Sequence, residues 1–452
     1  MKKINLDKEF IKKALVIAIP ISMQSLIQSS LNMIDQFMIG QLGGKAIAGV
    51  GLGSRTLFIM TFMLFGLGSG VSIFGSQFWG KKDKKNLSQV IGISILAGIL
   101  ISSIFLGLSL FKSEAILKIF TSDIEVIRVG SIYQKITSIS YIPLMIIIMY
   151  SSLLRSIEII KIPMLTSFLA VGLNTFLNYI LIFGNFGFPK MGVEGAAIAT
   201  VITRFVEVII LLAIIYIKKL PGAFKFKEMF TISKKFAIKF GITTLPIILT
   251  EVIWSLGDTM FSFIYSHMGT NEIVAMTMTF PIQGLSIGFF TGVSSAAAIM
   301  IGKKLGAEDY KSAYSYAKKF IIFGFVGTNI MALILSVFIN IYTSIYNVEY
   351  EVKSLVVKTL IVFLFVLWVK VSNMIIGSGI LRSGGKTKYT LYIDFFGMWI
   401  IGVPLGLFSA FVLKLPIYYV YMLISFEEVV RLGICLYLTK SKKWIRNIVN
   451  EF

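Results

Sequence analysis

Cysteine and histidine are nearly missing: Cys435 and His267 are the only ones in 452 residues. A single cysteine excludes a disulfide framework and a thiolate metal site. A metal-dependent membrane hydrolase needs a His/Asp cluster, and a covalent one needs a nucleophile beside a base. Neither residue stands near an acid cluster in the sequence, so no enzyme and no bound cofactor are expected. Charge is also scarce, at 14% of residues against 56% hydrophobic. With a mean hydropathy of +0.86, the chain lacks the polar surface that a soluble protein of this length requires. Acids are scarcest, 22 against 43 Lys and Arg, for a net charge of +21. Such an excess suits nucleic acid, but the lysines sit in short clusters between apolar runs, which argues for a lipid bilayer instead.

What the chain has in abundance is apolar sequence. Charge-free runs longer than about 18 residues read as membrane-spanning helices. They recur over the whole length, giving twelve predicted spans at 14–39, 47–78, 88–111, 127–152, 162–184, 193–217, 238–266, 273–301, 317–343, 354–380, 387–413 and 416–439. The expected class is an all-α polytopic membrane protein. With a cytoplasmic amino terminus, the outer loops hold only Lys45, Lys112, Lys118, Arg128, Lys190, Lys353 and Lys414, and most other cations fall on the inner side. That asymmetry places both termini in the cytoplasm, in an inner or plasma membrane. The opening MKKINLDKEFIKK is a basic amphipathic lead-in, with no small-residue cleavage site after the first span.

The two halves resemble each other. A shift of 226 positions lays LGGKAIAG…FGLGSG…WGKKD over MGTNEIVA…TGVSSA…LGAED, with Gly66 on Gly292, Asp83 on Asp309 and Pro20 on Pro246. Six spans per repeat is an even number, so the repeats are parallel, and a binding site is expected between them. The expected division is 1–217, a basic linker 218–240, and 241–452. GLGSG (66–70) lacks the Lys-Ser/Thr of a phosphate loop and lies within a span, so it reads as close helix packing.

An ionisable group inside a span is a functional candidate by default. In SLIQSSLNMIDQFMIG, Asp35 is the only formal charge between Lys13 and Lys45. It lies 22 residues past Lys13, about 33 Å along a helix, so an interfacial carboxylate is the bland alternative. Gln24, Gln28 and Asn32 share its helix face, and a stripe that polar must meet protein or water. The fifth span offers Asn174 and Asn178 one turn apart, and the sixth offers Thr200, whose alternative is a bond to its own helix. One carboxylate among amide and hydroxyl oxygens suits a small hard cation such as Na⁺; the same acid, desolvated, carries a proton instead. The second half has Phe261 at the position of Asp35 but offers Glu251, Ser255 and Asp258 on one face, and Asp394 near an inner interface. Arg204 with Glu207, and Glu427 with Arg431, read as in-membrane ion pairs on one helix. Arg155 and Arg382 are expected to snorkel, Lys370 needs a partner that spacing does not name, and His267 reads as an interfacial polar residue.

IP…SLNMIDQFMIGQLGGKAIAGVGL, QFWGKKD, LRS, LNTFLNYILIFG…MGVEGAAIATVITR and ILRSGGKT together resemble the multidrug and toxic compound extrusion (MATE) transporters over essentially the whole chain. The resemblance implies two six-helix lobes around a central cavity. It also implies efflux of amphipathic, often cationic organic compounds against inward Na⁺ or H⁺, with no nucleic-acid partner; a monomer is expected. Asp35 matches the acid of the family's first span, Asn174 and Asn178 its fifth-span pair, and Glu251 the seventh-span glutamate of one bacterial branch. Some relatives carry Asp where Asn178 stands, and an Asp in the tenth span where this chain has Lys370, Ser372 and Asn373. A lipid-linked or metabolite cargo is the alternative; it would call for more cationic groups than the mostly acidic and neutral candidates seen here.

Overall fold

The computed structural model describes residues 7–344 and 348–450. The side chains of 31–33 and 226 lie outside that description, and the expected role of Asn32 lies outside it too. All regular structure described is helical, because a backbone without water partners must close its hydrogen bonds within each span. In chain order the helices are α1 Lys8–Gly40, α2 Gly44–Gly53, α3 Arg55–Lys81, α4 Lys84–Phe111, α5 Ser113–Leu117, α6 Ile124–Ser138, α7 Tyr141–Ser156, α8 Lys161–Phe183 and α9 Gly192–Ile217. There follow α10 Phe226–Phe230, α11 Lys234–Ser266, α12 Thr270–Gly306, α13 Tyr310–Ser344, α14 Tyr350–Met374, α15 Thr387–Phe395, α16 Val403–Leu407, α17 Ile417–Ile424 and α18 Phe426–Lys440.

Among the described residues, ten helical stretches are long and apolar enough to cross a membrane, and α6 with α7, bent by 52°, make an eleventh. The twelfth expected span is α17 and α18, separated at Ser425. Several spans are less regular than periodicity suggests. The second is α2 and α3 joined at Ser54, the tenth runs from α14 through a π-helical turn at Ile375–Leu381, and the eleventh has π-helical turns on both sides of α16. The expected linker 218–240 is shorter than the charge run, because α11 already begins at Lys234. Within it α10 packs on α4, where a Cβ on Gly92 would strike the Met229 carbonyl.

The repeat extends to the helix ends. Lys82 and Glu308, 226 apart, both take φ 60 where α3 and α12 stop. Each is followed by an aspartate that caps the next helix: Asp83 Oδ1 accepts from the Asn86 amide at 3.0 Å, and Asp309 Oδ1 from the Ser312 amide at 3.1 Å. The Lys304 ammonium, 2.7 Å from Asp309, is the main cause that pulls this loop carboxyl down to about 2.

Packing divides the chain into two compact units: Met23–Ile248, and the residues up to Ser22 with Leu249 onward. Thus α1 and α11 each change unit partway along, just past Pro20 and Pro246. In the first unit the start of α11 lies on α3: Phe236 and Phe240 pack against Phe74, and a Cβ on Gly66 would come within 2.8 Å of the Ile248 Cα. In the second unit the start of α1 lies on α12 and α13. Phe10 meets Phe320 edge-on at 4.9 Å, and a Cβ on Gly292 would collide with the Ala18 carbonyl and Ser22. Gly66 and Gly292 are repeat mates, and so are Ile248 and Ser22. Each missing side chain therefore admits a helix from the other half of the sequence. The units are not the contiguous halves 1–217 and 241–452, since periodicity reports which face is apolar and not which helix covers it.

Candidate functional site

Inside the Met23–Ile248 unit, α1 and α8 run parallel and in register. Gln24 Nε2 donates to Ser167 Oγ at 2.8 Å, and 11 residues further along both helices Asn178 Nδ2 donates to Asp35 Oδ1 at 2.7 Å. Eleven residues complete three turns, about 16 Å of rise, so the two bonds join the same pair of faces. Ser167, Asn174 and Asn178 recur at +7 and +4 on α8 and are all buried. Asn178 also donates to Asn174 Oδ1 at 3.1 Å, while its own Oδ1 is buried without a hydrogen-bond partner. Asp35, Asn174 and Asn178 thus contribute a carboxylate and two amide oxygens, the donor chemistry that hard cations take. Gln28 is half-buried in α1.

The hairpin between α8 and α9 sets the third face. Gly184, at φ 76, ends α8, and Met191 N donates back to the Leu181 carbonyl at 2.9 Å. Further from the turn, Ser167 Oγ donates to Glu207 Oε1 at 3.2 Å, so α9 runs antiparallel to α8. Glu207 is 1% exposed and accepts from Arg204 Nη1 at 2.8 Å, which is the ion pair expected from their spacing. Thr200 donates to the Ala196 carbonyl of its own helix at 3.0 Å. The structure therefore joins Asp35, Asn174 and Asn178 at one level and, three turns away on the same two faces, Gln24 and, unforeseen, Ser167; among the described residues no side-chain bond ties Thr200 to either group. The signal for Ser167 was in the sequence: a hydroxyl seven and eleven residues before the two asparagines, on their face of the helix.

The second unit is built differently. Arg431, on α18, donates Nη1 to Glu427 at 3.4 Å and to Glu428 at 3.3 Å, and Nη2 to Asp394 of α15. Lys370 finds the partner that spacing could not name, Glu428, at 3.6 Å. Asn373 donates to the same carboxylate at 2.7 Å. A cavity of about 80 Å³ lies beside this network, lined among others by Asp258, Gln283, Lys370, Tyr421 and Glu427. The other candidates are dispersed. Glu251 is held by Arg382 at 2.9 Å, Ser255 is buried one turn along α11, and Asp394 belongs to Arg431. Arg382 corrects an expectation: it does not snorkel but is 6% exposed, because Glu251 supplies its counter-charge within the unit. His267 is exposed just beyond α11.

A family model described as MatE matches residues 20–180 and 246–408. Among curated proteins, the chain is 24% identical over 432 residues to an uncharacterized transporter, YisQ, of Bacillus subtilis, covering 94% of this chain and 93% of that one. It is 27% identical to the probable multidrug resistance protein NorM of Bacillus anthracis, with 90% of each covered. The NorM of Thermotoga maritima is 25% identical, with 88% of this chain and 85% of that one covered. Among solved structures, a MATE in complex with MaL6 superposes with a TM-score of 0.88 at 18% identity, covering 95% of this chain and 96% of that one. A transporter of the MOP superfamily from Pyrococcus furiosus gives 0.87 at 18% identity, with 95% of each covered. These likenesses establish the same twelve-helix fold.

Proposed function

The chain belongs to the MatE family of multi-pass membrane transporters, and on that premise we propose that it exports amphipathic, mostly cationic organic compounds by cation-coupled antiport. Both termini face the cytoplasm, and Na⁺ or H⁺ moves inward through the first unit. The observation that carries this reading is the bond between Asp35 and Asn178, backed by Asn174 and an uncommitted amide oxygen in a buried position. An acid so placed is costly to keep ionised in hydrocarbon unless a cation or proton joins it. A conformation that holds the ion and one that releases it then differ in free energy, which is what coupling requires. The relatives named for multidrug resistance support an organic cargo.

The test is dye efflux from proteoliposomes, with a Na⁺ gradient and a pH gradient imposed separately. Asp35→Asn is expected to insert and fold but to lose gradient-driven efflux. Efflux at the wild-type rate from that variant refutes the assignment. The gradient that drives the wild type identifies the coupling ion.

A further inference from the structure

The Asp35 site has a neighbour that its chemistry does not use. Glu207 is almost fully buried and ion-paired to Arg204, and a chain of hydrogen bonds leads from it through Ser167 to Gln24 on α1. The antiparallel register of α8 and α9 fixes the heights of these groups. With Ser167 level with Glu207, and Leu181 level with Gly195, Thr200 falls level with Asn174, and Arg204 stands one turn nearer to Asn178 than Glu207 does. By this register Arg204, ion-paired with Glu207, stands along α9 between the level of Glu207 and the level at which Asn178 holds Asp35. Two acids and one cation sum to a single negative charge. One carboxylate must always lack a protein counter-ion.

We propose that Arg204 is a shared counter-ion that sets how tightly Asp35 holds its cation: paired with Glu207 it leaves Asp35 receptive, and drawn towards Asp35 it expels the bound ion. The guanidinium is suited to this, since its fork of donors meets either carboxylate while remaining charged. When the pair with Glu207 loosens, the bond from Ser167 to that carboxylate is disturbed, and Ser167 is bonded to Gln24. The occupancy of Asp35 is thereby felt three turns away on α1. Arg204 and Glu207 act here as positioning residues, and the inference rests on the assignment of Asp35 above.

The experiment measures the concentration of driving cation, Na⁺ or H⁺ as the gradients decide, that gives half-maximal dye efflux. Glu207→Gln frees Arg204 for Asp35, so that concentration is expected to rise about tenfold with little change in maximal rate. The double variant Arg204→Gln/Glu207→Gln restores one net negative charge and is expected to return within about twofold of wild type. An unchanged value for Glu207→Gln overturns the proposal, as does a rise that the double variant fails to reverse. Should Glu207→Gln not insert, Glu207→Asp draws the carboxylate back from Arg204 and is expected to shift the value in the same direction by a smaller factor; no shift overturns the proposal. Asp35→Asn, measured alongside, separates the two readings. If it still couples, both fall; if it is inactive while Glu207→Gln behaves as wild type, only the counter-ion role falls.

Discussion

The two units bury ionisable groups in opposite styles. In the first, Arg204 holds Glu207, and Asp35 accepts from the amide of Asn178. In the second, the charges are lashed together. Arg431 contacts three carboxylates, Lys370 adds a contact to one of them, and Arg382 neutralises Glu251. A buried charge with several partners is fixed, because losing any of them strands the rest. Asp35, by contrast, is half-buried and takes its hydrogen bond from a neutral amide. Repeats that share their helix ends and their packing glycines have thus diverged in how they hold charge, and the ion-exchange role proposed above falls to the sparser side.

The comparison breaks most easily at its extremes. Asp35→Asn is expected to lower gradient-driven efflux at least tenfold while changing the thermal midpoint in detergent little, since an amide replaces a carboxylate of the same shape; an equal loss of stability would make Asp35 a structural group like those of the second unit. Arg431→Leu is expected to do the reverse, destabilising by about 3–5 kcal/mol by leaving carboxylates buried without their cation. Folded yield after mild heating reads that effect.

Smaller effects sharpen the contrast. Arg382→Met strands Glu251 and is expected to cost about 3 kcal/mol, most of it recovered in Arg382→Met/Glu251→Gln. A stability measurement on the single and double variants closes the cycle, and a double variant as poor as the single one would mean that the guanidinium is held by something other than Glu251. At the lower end, Asp309→Ala removes a helix cap for about 1 kcal/mol. Because Asp309 is pulled down to about 2, its contribution is present above pH 4 and is lost as pH falls from 4 towards 2. Acid unfolding of the wild type and of Asp309→Ala should therefore converge over that window.

Much of this was legible in the chain. Apolar run length and the sorting of cations give the spans, a lone acid in an apolar run marks Asp35, and spacings of three and four reveal Arg204 with Glu207 and Glu427 with Arg431. Those are local patterns, carried by one helix and its periodicity. What escaped depends on which helices meet. Glu251 and Arg382 are 131 positions apart, and Lys370 and Glu428 are 58 apart, with nothing in either neighbourhood to announce the other. The breaks within α17–α18 and the π-helical turns of the eleventh span escaped for the same reason, since hydropathy sees composition and not backbone geometry.

The crossing of α1 and α11 between units bears on how the chain is made. During synthesis the amino-terminal helix emerges first, yet Phe10 packs on Phe320, more than three hundred residues later. Its leading half must wait in the bilayer, greasy and uncovered, until the ribosome has delivered α12 and α13. Assembly cannot proceed by finishing one bundle before starting the next; helices from the second half of the chain complete the seat of the first.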